Sequence, residues 1–130
     1  SKAMLNKIFA GIMGVSGMLT LTMLYATVAP VAAMQSMFQE APSGAMASIV
    51  APNWGVLVGL MGALLIYGAF HAPSRRLALV VAGVSKIAFI SLVLAQGQRY
   101  LGGVGVAVGV DAVMVVLFAL YIVFGRPASK

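Results

Sequence analysis

The chain has no cysteine, one histidine, one tryptophan and only two acids, Glu40 and Asp111, in 130 residues. Without cysteine there is no disulfide, no thiolate nucleophile and no thiol ligand for a metal. Two carboxylates and one imidazole are too few for a metal centre or for paired acid–base hydrolysis, so no metal and no cofactor is expected. Charged residues make up 8% of the chain, where a soluble domain uses about a quarter to dress its surface. That shortage excludes a soluble enzyme, a secreted disulfide scaffold and a disordered tail.

What fills the chain is apolar: 62% of its residues are hydrophobic and the mean hydropathy is +1.09. That supply is enough for four spans of roughly twenty residues each. The expected fold is all-α, a single transmembrane domain built as a four-helix bundle. Its helices are placed at about residues 6–29, 54–70, 77–95 and 104–124, with a long external loop over 31–53. Pro30 is expected to end the first helix, because its ring does not sit inside a continuing one. Within the loop, 34–38 and 45–50 have the pattern of short interfacial helices, with a plain connector as the alternative.

The net charge of +6 forms no basic stripe with interleaved aromatics, so nucleic acid is not the expected partner. The charges mark topology instead. Lys7, Arg75, Arg76, Arg126 and Lys130 flank one side of the apolar runs and Arg99 alone the other, which places both termini in the cytoplasm of a bacterial-type inner membrane. Ser1, Lys2 and Ala3 precede Met4 and read as a non-native extension, so Met4 is the expected start and Lys2 stays out of this comparison. The first apolar run is longer than the core of a signal peptide, and an uncleaved first span is expected. Tyr25, Trp54 and Tyr100 fall at the outer boundary and Phe9, Tyr67, Phe70, Tyr121 and Phe124 at the inner one, as interfacial aromatics do.

Two charges stand inside apolar runs. Lys86 lies nine residues past 77, roughly 13 Å along a helix that crosses a core of about 30 Å. Asp111 lies seven residues past 104, roughly 10 Å below the opposite boundary, so the two depths differ by about one helical turn. A lone charge at such depth costs about 2.5–3.5 kcal/mol on insertion scales, and pairing across helices three and four is the expected answer. Such a pair either lines a polar pocket or proton path, or only locks helix register. Ser16, Thr20 and Thr27 share one side of helix one, where their hydroxyls either meet that pair or bond the preceding turn of their own helix. Glycines 55, 59 and 62 on helix two and 102, 105 and 109 on helix four suit close helix approach. His71, Arg75 and Arg76 form a basic turn suited to lipid headgroups.

Four helices, cytoplasmic ends and a glycine-rich second helix closing on the short basic turn at 67–76 together resemble the small DoxX-like bacterial membrane proteins. The resemblance implies an inner-membrane accessory or quinone-linked role and carries no functional residue across. Small multidrug transporters have a similar size, but their first helix carries an essential glutamate and residues 8–29 hold no acid. The expected function is non-enzymatic binding of a small apolar or amphipathic ligand, a lipid or a partner helix near Lys86 and Asp111, with Ser16 and Thr20 beside them. Nine methionines are a supply of adaptable apolar surface for it. The alternatives are a proton-coupled transporter of small solutes acting as a homo-oligomer, and an accessory subunit of a quinone-linked membrane enzyme, beside a partner membrane subunit.

Overall fold

Proline and glycine punctuate the chain, but not always where a loop was expected. The computed structural model describes residues 1–125, and among them every regular element is helical. Arg126 and Lys130, counted above for topology, lie outside the described residues. Helix α1 (Lys2–Leu21) passes through a tight 3-10 turn at Thr22–Leu24 into one further turn, α2 (Tyr25–Val28). The chain then breaks at Ala29 and restarts at Pro30 as α3 (Pro30–Phe38). Proline opens α3 rather than only ending its predecessor, because a first-turn residue has no intrahelical partner for the N–H that proline lacks.

Helix α4 (Ala51–Phe70) is led in by a π-turn, Met46–Val50. Its span therefore begins well before residue 54, and the expected 31–53 loop is helical over most of its length. Only His71 separates α4 from α5 (Ala72–Gln96). The polar turn expected over 71–76 is the first turn of α5, with Pro73 again in a permitted position. Gly97 and the 3-10 turn Gln98–Tyr100 lead into α6 (Leu101–Phe124), which starts three residues before the expected boundary. Four stretches are long and apolar enough to cross a membrane: Lys2–Val28, Met46–Phe70, Ala72–Gln96 and Gln98–Phe124.

The spans pack in order, α1 along α4, α4 along α5 and α5 along α6. The α1–α4 crossing is set by glycine. A Cβ on Gly17 would stand 2.7 Å from the Gly62 carbonyl oxygen, and one on Gly62 would stand 2.7 Å from that of Gly17. No side chain fits there, and backbone-to-backbone packing replaces it. On α6 the expected glycine contacts are different: Gly105 and Gly109 face open space, while Gly103 is the one that α3 covers, with its backbone at Met37.

The bundle has two unlike ends. At the basal end, which carries Phe9, the α4–α5 turn and Tyr121, a core of Met13, Leu65, Leu79, Met114 and Phe118 fills the interior. The Phe9 and Tyr121 rings, 4.4 Å apart between centroids, join α1 to α6 there. At the loop end, α3 and the α5–α6 turn cover the helices, and Phe38 meets Tyr100 edge to face at 5.5 Å. Many outward positions along the four long helices carry large apolar side chains, Phe70 87% and Val106 80% exposed among them.

Candidate functional site

Lys86 and Asp111 occupy equivalent places in the α5–α6 hairpin. Lys86 lies ten residues before the end of α5 at Gln96, and Asp111 ten residues after the start of α6 at Leu101. Both are therefore roughly 15 Å from the turn, level with each other rather than one turn apart. The earlier start of α6 accounts for that difference. The Lys86 Nζ donates to Asp111 Oδ1 at 2.8 Å, and the Lys86 side chain is 6% exposed against 20% for that of Asp111. The expected pair is formed.

Thr20 on α1 completes a directed chain. Lys86 Nζ donates to Thr20 Oγ1 at 2.9 Å, and Thr20 Oγ1 donates to the Ser16 carbonyl at 2.7 Å. An ammonium has only protons to offer, so the threonine hydroxyl must pass its own proton to the preceding turn. Both fates expected for that hydroxyl are realised at once. Ser16 is buried and joins through its carbonyl, while Thr27 bonds elsewhere, donating to the Pro52 carbonyl at 2.9 Å and tying α2 to α4.

Beside the pair lies a cavity of about 530 Å³, within the size range of small-molecule sites. Thr20, Lys86 and Asp111 form its polar end and Met114 its floor. Its walls are apolar, chiefly Met23, Met37, Met61, Trp54 and Phe89. The lining reaches the surface at Leu19 and Thr22 on the first span and at Val106 and Val110 on α6, all exposed. The cavity thus has a lateral mouth where α1 and α6 are not packed backbone to backbone. A second cavity of about 410 Å³ towards the loop end shares Trp54, Phe89 and Leu92 with the first. Of the lining, the sequence singled out Thr20, Lys86 and Asp111 as site residues and Trp54 and Tyr100 only as boundary markers; the apolar walls at Met37, Met61 and Phe89 were not singled out.

The basic turn divides. Arg76 is exposed, and His71 is exposed with its ring stacked on Tyr67 and its Nδ1 2.9 Å from Ser74 Oγ. Arg75 is buried: it is 8% exposed and folds inward, Nε donating to the Gly68 carbonyl at 3.0 Å and Nη2 to the Ala69 carbonyl at 2.9 Å. The last carbonyls of a helix have no intrahelical partner, and a one-residue turn leaves no room for a backbone cap. The guanidinium supplies it.

Glu40, which has no charged neighbour in sequence, accepts from the Tyr100 hydroxyl at 2.6 Å and sits 3.7 Å from Arg99 Nη2. This cluster ties the chain after α3 to the α5–α6 turn, across an exposed surface. Among the described residues no three His, Asp or Glu side chains gather as metal ligands would. Neither a family model, nor a curated protein, nor a solved structure matches the chain.

Proposed function

We propose that this chain is a membrane protein that binds a small apolar or amphipathic molecule in the cavity between its helices, close to the Lys86–Asp111 pair, and does no chemistry on it. The observation that carries this reading is the coincidence of the pair with the cavity: the buried ions stand at one end of a methionine- and aromatic-lined space of about 530 Å³. A pair that only fixed helix register would need no space beside it. Methionine-rich walls adapt to varied apolar shapes, and the lateral mouth gives access from the hydrocarbon phase. By the charge asymmetry the basal end faces the cytoplasm and the loop end the outside.

Proton-coupled movement of a solute by a homo-oligomer is the second reading, favoured by an ionisable pair halfway along the spans. The packed basal core of Met13, Leu65, Leu79 and Phe118 below the pair supports binding over passage. Mass spectrometry of what copurifies in nanodiscs tests the first reading. A defined small molecule held by the native chain and lost in Ala107→Phe, which fills the cavity, supports it. The same molecules held by both chains refute it, and solute flux in proteoliposomes abolished by Asp111→Asn would favour transport instead.

A further inference from the structure

The polar end of the cavity has hydrogen-bonding capacity left over, and its composition is specific. An ammonium carries three protons. Lys86 places one on Thr20 and one on Asp111, which leaves the third for the cavity it lines. Asp111 receives Lys86 on Oδ1, and among the described residues no donor meets Oδ2. The pair therefore offers one donor and one acceptor side by side, with no net charge between them, and the other polar lining residues, Thr22 and Ser85, are uncharged.

Resting on the binding reading above, we infer that the cavity takes an electrically neutral, single-chain amphiphile with a hydroxyl head, which donates to Asp111 Oδ2 and accepts from Lys86 Nζ. A hydroxyl is the smallest group that meets both demands at one atom. A carboxylate or an ammonium would bring an uncompensated charge to a neutral pair at the middle of the spans, where charge is costly. A head at that depth also has to cross hydrocarbon to reach the pair through the lateral mouth, which a hydroxyl does far more readily than an ion. The chain has a defined course. Along α6 the lining above the pair runs from Asp111 to Gly103, eight residues or roughly 12 Å, the reach of an extended chain of about ten bonds, and a longer chain continues towards the second cavity, which shares Trp54 and Phe89 with the first. With its head at Lys86 and Asp111, the tail of such a molecule lies against Phe89, Met37 and Trp54.

Trp54 is the only tryptophan and lines both cavities, so the protein carries its own probe. The experiment measures quenching of Trp54 fluorescence in nanodiscs by dodecanol, dodecanoate and dodecylammonium, each dibrominated at the chain end. At about pH 9 a free carboxylic acid has lost its proton and a primary amine retains one. The expected result is saturable quenching by the alcohol, with about tenfold or greater preference over either ion. Asp111→Asn then shifts preference to dodecanoate and Lys86→Gln to dodecylammonium, while the double variant keeps the alcohol first. An ion bound by the native chain as tightly as the alcohol overturns the inference and leaves the cavity a binding site. Quenching that saturates for none of the three, and only matches that of brominated bulk lipid, overturns the binding reading as well. Where a single variant does not fold, the native three-way comparison decides alone.

Discussion

The basal and loop halves of the bundle are made from the same four spans and packed on opposite principles. In the basal half large side chains from every span interlock, and Phe9 and Tyr121 close the gap between α1 and α6. Towards the loop half the first span stays against α4, held by the Gly17–Gly62 crossing and by Thr27 on Pro52, and it leaves α6 uncovered. The lesson is that close approach at one interface opens another: the glycines that let α1 reach α4 take it away from α6. The ion pair stands where the two halves meet.

Breaking the pair sharpens that contrast most. Asp111→Leu leaves Lys86 buried without its carboxylate, and removing one partner of a buried pair costs about 3–5 kcal/mol. Unfolding in mixed micelles, followed by Trp54 fluorescence, checks it. A smaller effect separates the halves themselves. Ala82, fully buried in the basal core, has no room for a ring, and Ala82→Phe is expected to cost about 1–3 kcal/mol by overpacking. Ala107 lines the cavity, so Ala107→Phe stays within about 0.5 kcal/mol of the native protein. Equal losses at both positions would mean that the halves are packed alike. The smallest effect belongs to the loop-end cluster: Glu40 and Arg99 are exposed, and Glu40→Gln leaves the unfolding midpoint unchanged.

Much of this was legible in the residues, for a physical reason. Lys86 and Asp111 each sit in an apolar run where a lone ion is costly, and rise per residue converts sequence position into depth, so their pairing could be read by counting. The count missed by one turn because depth was measured from residue 104, whereas the chain breaks at Gly97 and the 3-10 turn Gln98–Tyr100 and α6 begins at Leu101. Within 31–53 the short helices expected at 34–38 and 45–50 are present but longer, because Pro30 and Pro52 both fall in first turns, so α3 opens at Pro30 and α4 already at Ala51.

Arg75 and Glu40 show a second limit. A basic turn at the end of a span reads as lipid-facing, and nothing local tells Arg75 from Arg76. The difference arises because the turn shrinks to His71 and exposes two carbonyls that only the inward guanidinium reaches. Glu40 finds its partner sixty residues away, at Tyr100. The cavity itself depends on how four spans diverge, and no spacing within any one of them encodes that.

The account rests on Lys86 and Asp111 being each other's partners in the interior of the bundle, and a double-mutant cycle of Lys86→Met and Asp111→Leu, read as unfolding free energy in mixed micelles, tests this most directly. The account predicts that each substitution alone is strongly destabilising and that the double variant recovers most of the loss, a coupling of about 2 kcal/mol or more. Losses that simply add, to within about 0.5 kcal/mol, would contradict it.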